Sequence, residues 1–156
     1  MIKVLFVCYG NICRSPMAEF LFKDFVKRAG KEGDFYIESA ATSSEEAGNP
    51  VHYGTRKILD RLNIDYTGKR ARKITLSDYG NFDYIIGMDS MNIKSLRNFF
   101  GGDKDNKIYK MLDFCSDGAE DVADPWYTGD FEKTYEDISR GIKAFYDYVE
   151  GEEQIK

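Results

Sequence analysis

The part of the chain best equipped for chemistry is Cys8-Tyr9-Gly10-Asn11-Ile12-Cys13-Arg14-Ser15-Pro16, which sets a thiol, a turn and an arginine side by side. Gly10 and Asn11 tolerate left-handed backbone, so the segment can curl until successive N–H groups point inward as an anion nest beside a helix N-terminus. A tetrahedral oxyanion fits such a cradle. Arg14 adds a planar, permanently charged fork that meets two phosphate oxygens at once, a geometry lysine lacks. The same field acts on Cys8: a free thiol has a pKa of about 8.5, and helix N-termini and nearby cations lower such values to about 3.5–7.5, so Cys8 is expected as thiolate. Facing a phosphate ester, that sulfur is placed to attack phosphorus and hold it as a thiophosphate, while the nest and Arg14 stabilise the equatorial charge. Such chemistry needs neither metal nor cofactor. The departing oxygen needs a proton, and Asp124 is the candidate donor. Pro125 keeps Asp124 out of helical backbone, and Trp126 and Tyr127 could cover its carboxyl and stack on an aromatic substrate.

Residues 8 and 124 act together only if the fold brings them together, and the hydrophobic pattern says how. Ile2 to Cys8 reads as a buried strand cut off by Gly10 and Asn11. Ser15-Pro16 opens a helix over Met17 to Ala29, with Met17, Phe20, Leu21, Phe25 and Ala29 on one face. Phe35 to Ala40 is a second strand, and Thr42 to Pro50 a long loop. Thr55, Ile58, Leu59 and Leu62 mark a helix, Asp83 to Met88 a third strand, and Asn92 to Phe100 a helix stopped by Gly101-Gly102. Lys107 to Leu112 is a candidate fourth strand, and Phe131, Tyr135, Ile138, Ile142, Phe145 and Val149 form the cleanest amphipathic stripe. The alternation predicts a single α/β domain over residues 1–156: a four-stranded parallel sheet with helices on both faces. Its phosphate-binding loop follows strand one, and the loops after Cys8, Ala40, Met88 and Leu112 share the carboxyl edge where such sheets bind ligands.

These motifs resemble the low-molecular-weight protein tyrosine phosphatases, in their bacterial form. The likeness rests on Cys8-x-Gly10-Asn11-x-Cys13-Arg14-Ser15-Pro16 near the start, Asp83-Tyr84-Ile85 through Met88-Asp89 in the middle, and Asp124-Pro125-Trp126-Tyr127 toward the end. It implies Cys8 as nucleophile, Arg14 as phosphate clamp and Asp124 as general acid and then base. It further implies Asn11, Ser15 and Ser39 as support for the loop and Tyr9, Ile12, Trp126 and Tyr127 as walls around the substrate ring. Tyrosine-phosphorylated proteins would be the substrates and a cognate tyrosine kinase a partner. Cys13 matches a loop cysteine that in the family can pair with the nucleophile; the alternative is a small buried residue without redox duty. One departure stands out, since Ser43 to Ala47 carries Glu45 and Glu46 where relatives often present an aromatic wall.

Other residues admit plainer readings. Cys115 reads as a packing thiol, and His52, the one histidine, as a surface or capping residue. Asp89 is equally suited to orient a loop group or to cap a helix. Net charge is 22 − 27 = −5, which opposes a nucleic-acid role, and no apolar run approaches a membrane span. Three cysteines are an odd number for a disulfide framework, consistent with a cytoplasmic chain. Charge is uneven: Arg56 to Lys73 is basic and Asp113 to Asp137 acidic, which reads first as two solvated faces. Two rival activities remain. Phosphoarginine hydrolysis is one, although relatives specialised for it carry threonine where Ile12 stands. The other is thiol-dependent arsenate reduction, whose further redox cysteines are missing between Cys13 and Cys115.

Overall fold

The structure, a computed structural model, describes residues 1–115 and 120–155, with side chains to residue 152. Strands β1 (Ile2–Cys8), β2 (Phe35–Ala41), β3 (Tyr84–Gly87) and β4 (Ile108–Lys110) form one sheet in the order β2-β1-β3-β4. Every pairing is parallel, with Val4 beside Ile37 on one side and Tyr84 on the other, and Ile85 beside Ile108. The helices are α1 (Arg14–Arg28), α2 (Tyr53–Arg61), α3 (Asp78–Asn81), α4 (Ser90–Phe100), α5 (Pro125–Thr128) and α6 (Phe131–Ile155).

β1 is central, which explains its unbroken apolar run from Val4 to Cys8: both of its faces are covered there. Val4, Phe6 and Cys8 face a core built with α1, α2 and α6, whereas Leu5 and Val7 face a second one with Phe82, Ile85 and Leu96. Phe22 of α1 anchors the first core, its ring 5.9 Å from Phe6, 5.2 Å from Phe35 and 5.4 Å from Phe145. The stripe of α6 lies as its spacing requires, with Ile138, Ile142, Phe145 and Val149 buried and Phe131 and Tyr135 packed at the margin. α4 ends at Gly101, which takes φ 72° and closes the helix through its amide.

Several boundaries depart from the expectation. Strand β4 stops at Lys110, and Met111–Phe114 turn into a 3₁₀ segment, because Asp113 accepts the amide of Lys110 and Met111 and Leu112 are drawn fully into the core. α1 starts at Arg14, so Pro16 sits inside its first turn, where no backbone N–H has a helical partner to lose. The single-turn α3 and α5 have too little periodicity to announce themselves. Within the basic run, Lys69 pairs with Glu19, Arg72 with Asp78 and Arg61 with Glu132. Residues 116–119 of the acidic run lie outside the described residues. Among the described residues no helix is long and apolar enough to cross a membrane.

Candidate active site

The site lies at the carboxyl ends of the strands. There the turn between β1 and α1 meets the segments that follow β2, β3 and β4. Asn11 takes φ 59° in this turn, and its side chain supports that conformation. Its Nδ2 donates to Ser15 Oγ (2.7 Å) and Ser39 Oγ (2.9 Å), and its Oδ1 accepts the amide of Arg72 (3.1 Å). An asparagine held at both ends of its amide tolerates left-handed backbone that most residues would resist. Gly10, expected to share the left-handed turn, does not have positive φ. A Cβ there would come 3.3 Å from Glu46 Cγ, a tight contact that the glutamate would have to relieve by a small shift.

Cys8 Sγ lies at the floor, 3% exposed as a residue. The amides of Asn11 (3.3 Å) and Ser15 (3.4 Å) donate to it, and Ser15 Oγ lies 3.1 Å away. Donors converging on one sulfur stabilise negative charge there. Cys13 differs: burial first, then the charge of Cys8 and of Asp124, pushes its thiol far above the ordinary range, so it stays neutral. Cys115 is packed against the main core.

The Arg14 side chain is 2% exposed. Its Nη1 donates to Asp89 Oδ2 (2.6 Å) and to the carbonyl of Val122 (2.8 Å), and Nη2 lies 3.4 Å from Asp124 Oδ2. Burial disfavours the charge, but Cys8, the hydrogen bond and charge of Asp89, and Asp124 outweigh it and hold the guanidinium above its ordinary pKa. Asp89 performs both roles open to it: Oδ2 orients Arg14 while Oδ1 accepts the amide of Asn92 and caps α4. Val122 is fully buried and donates its amide to the Met88 carbonyl, which ties the acid-bearing segment to the end of β3.

Asp124 is extended (φ −78°, ψ 113°), as the following proline requires. It caps α5, with Oδ1 accepting the amide of Trp126 at 3.0 Å. Trp126 and Tyr127 stand 59% and 84% exposed, and the Asp124 side chain is itself 24% exposed, so the rings wall the cleft rather than seal the carboxyl away. The cleft measures about 550 Å³ with its mouth and is lined by Cys8, Cys13, Arg14 and Asp124 below and by Tyr9, Ile12, Trp126 and Tyr127 around. All the residues expected to carry or wall the site therefore converge on one cleft, with Asn11, Ser15 and Ser39 directly behind it. Among the described residues no group of three or more His, Cys, Asp or Glu side chains is set to hold a metal.

Glu45 and Glu46, the departure seen in the sequence, line the cleft, and Glu45 accepts the Tyr9 hydroxyl at 2.8 Å. Three further features escaped the sequence reading. Ser39 Oγ donates to Glu19, a carboxylate 4% exposed that also meets Lys69. Burial pulls the Lys69 ammonium below its ordinary pKa, partly offset by Glu19. Its signal was present, since Glu19 interrupts the apolar face formed by Met17, Phe20 and Leu21. The remaining two, the Arg72 amide on Asn11 and the contact of His52 with Trp126, carry no sequence signal because long loops create them.

A family model described as low molecular weight phosphotyrosine protein phosphatase matches residues 3–155. The chain belongs to that family. The low molecular weight protein-tyrosine-phosphatase YfkJ of Bacillus subtilis is 44% identical over 156 residues, covering 99% of this chain and 100% of the relative. Its crystal structure superposes with a TM-score of 0.94 over 97% of this chain and 96% of that one. PtpA of Staphylococcus aureus is 35% identical over 100% of this chain and 99% of its own length. SP-PTP, a low molecular weight protein tyrosine phosphatase from Streptococcus pyogenes, is 47% identical in its crystal structure, with a TM-score of 0.84 over 96% and 93% of the two chains.

Proposed function

We propose that the chain is a metal-independent protein-tyrosine-phosphatase that hydrolyses phosphotyrosine and small aryl phosphates through a cysteinyl-phosphate. The observation that carries this reading is one cleft with Cys8 Sγ on its floor, ringed by donors, Arg14 beside it and the Asp124 carboxyl 3.4 Å from that guanidinium. In the first step the Cys8 thiolate attacks phosphorus, the bond from phosphorus to the aryl oxygen breaks, and protonated Asp124 gives its proton to that oxygen. Loop amides and Arg14 hold the three equatorial oxygens. In the second step Asp124, now a carboxylate, takes a proton from water as the water oxygen attacks phosphorus, and Cys8 leaves as thiolate with inorganic phosphate. The enzyme ends as it began, with Asp124 protonated. Tyr9, Ile12, Trp126 and Tyr127 offer apolar and aromatic surface to a tyrosyl ring.

Tyrosine-phosphorylated proteins are then the substrates and a tyrosine kinase the opposing partner. The reading extends to a cytoplasmic setting, where cellular reductants keep a nucleophilic thiol reduced. The test is hydrolysis of an aryl phosphate with chelator and reductant present. Turnover should be lost in Cys8→Ser, and Asp124→Ala should slow it by about a hundredfold or more while phosphate still binds. Wild type inert toward aryl phosphates but active on phosphoarginine, or consuming thiol with arsenate, would replace this reading with one of its rivals.

A further inference from the structure

His52 joins the two halves of the site. Its backbone amide donates to the carbonyl of Ile12 in the nucleophile loop at 2.8 Å, and Thr55 Oγ1, one turn on, donates to the carbonyl of Cys13 at 3.0 Å. The start of α2 is therefore bolted to the loop that carries Cys8. The imidazole faces the other way. Nδ1 accepts the amide of Gly54 at 3.0 Å, which caps α2 and fixes the ring plane. That ring lies nearly parallel to Phe131, at 5.2 Å and 13°, and meets Trp126 edge-on at 5.6 Å and 76°.

Both aromatic partners follow Asp124 closely in the chain: Trp126 two residues after it, and Phe131 at the first residue of α6. Gly54 completes the clamp, because a Cβ there would fall 2.4 Å from the Phe131 ring. α5 itself is a single turn in which only Pro125 is buried, and a helix of four residues has almost no stability of its own. Its first amide bond to a side chain is the one from Trp126 to Asp124 Oδ1, so the place of Trp126, together with Arg14 Nη2 at 3.4 Å from Oδ2, sets where the carboxyl points. Trp126 is 59% exposed, and His52 is the one aromatic ring against it among the described residues.

We infer that His52 is a positioning residue: its ring holds Trp126, and through Trp126 the Asp124 carboxyl, at the distance from Cys8 that proton delivery to the leaving oxygen requires. This rests on the proposed function and adds to it a residue outside the cleft. The ring and the cap are separable chemically. His52→Phe keeps a flat ring for Trp126 and Phe131 but has no acceptor for the Gly54 amide. His52→Asn keeps an acceptor at the cap and removes the ring.

The experiment compares kcat/KM for phenyl phosphate, whose leaving group needs a proton, with that for 2,4-dinitrophenyl phosphate, whose leaving group departs without one. Misplacing an acid by a fraction of an ångström should cost His52→Asn about tenfold on phenyl phosphate and less than about twofold on the dinitrophenyl ester. His52→Phe should stay within about twofold of wild type in the ratio of the two, and inorganic phosphate should inhibit all three equally, since the nest and Arg14 are untouched. Both substrates are read on one preparation, so the ratio does not depend on the fraction folded. In an Asp124→Ala background His52→Asn should change the ratio no further. Equal losses on both substrates, or a ratio in His52→Phe as poor as in His52→Asn, would reduce His52 to a helix cap. If Asp124→Ala itself shows no dependence on the leaving group, the acid assignment falls and this inference with it. If it does and His52→Asn does not, only the inference falls.

Discussion

A guanidinium buried as deeply as that of Arg14 must have its charge matched, and Asp89 is the nearest match at 2.6 Å. Asp89→Asn keeps an oxygen for the Asn92 amide, so the α4 cap survives, but it leaves Arg14 with only the Val122 carbonyl and the more distant Asp124. Activity and stability should therefore fall together, by about tenfold or more in kcat/KM and about 2 kcal/mol in unfolding free energy. Steady-state kinetics and urea unfolding check both. An unchanged kcat/KM would mean that Val122 and Asp124 suffice to aim the fork. At the same scale, two thiols five residues apart have different surroundings: the amides of Asn11 and Ser15 point at Cys8, whereas burial keeps Cys13 neutral.

Among the elements, α6 and the 3₁₀ segment at Met111–Phe114 pack backbone to backbone at Gly141. A Cβ at Gly141 would come 2.8 Å from Met111 Cγ and 2.9 Å from its carbonyl oxygen. In an isolated helix Gly→Ala gains about 1 kcal/mol, but here Gly141→Ala should lower stability, by roughly 1–3 kcal/mol, because the backbone oxygen cannot yield. Thermal unfolding decides the sign. The loop from α4 to β4 depends instead on Asp103, which accepts from the Tyr79 hydroxyl and from the amides of Lys107 and Ile108. Partial burial works against its charge, yet these donors, with Arg97, hold its carboxyl below the usual aspartate range. A carboxyl lowered by folding stabilises the fold above the unfolded pKa of about 3.9, and that contribution fades as pH falls through the lower folded value. Asp103→Asn should therefore melt below wild type at neutral pH, and the gap should close in solutions more acid than about pH 4. A gap independent of pH would assign the loss to geometry rather than charge.

For the molecule as a whole, the −5 net charge and the carboxylates of Glu45 and Glu46 at the cleft set the field that an approaching peptide meets. The dianionic phosphate is bound at contact by the nest and Arg14, within a distance over which salt screens little. Residues flanking the phosphotyrosine pass the rim instead. Phosphopeptides with Lys or Arg beside the phosphotyrosine should be hydrolysed with kcat/KM roughly threefold to tenfold above those with Asp or Glu at low ionic strength. The two sets should converge near about 0.5 M salt, where the Debye length is only a few ångströms. Replacing both Glu45 and Glu46 with Gln should remove most of the difference at low salt. Peptide kinetics with these variants checks it, and an unaltered preference would place the selecting charges elsewhere.

What the sequence determined by itself is what short-range chemistry encodes. The loop Cys8 to Pro16 carries its own turn residue, thiol and arginine, and Asp124-Pro125 carries its own extended backbone, because these depend on neighbours a few positions away. The unbroken apolar run Val4 to Cys8 of β1 likewise announced a buried strand. Tertiary structure decided the contacts made across the sheet edge. Only there do Asp89 and the Val122 carbonyl aim Arg14, does the Arg72 amide complete Asn11, and does Glu46 come up against Gly10. The end of β4 and the single turns α3 and α5 were equally hidden. A turn of four residues has no period to read, and its place is set by what packs against it: Met111 and Leu112 drawn into the core, and Trp126 resting on His52.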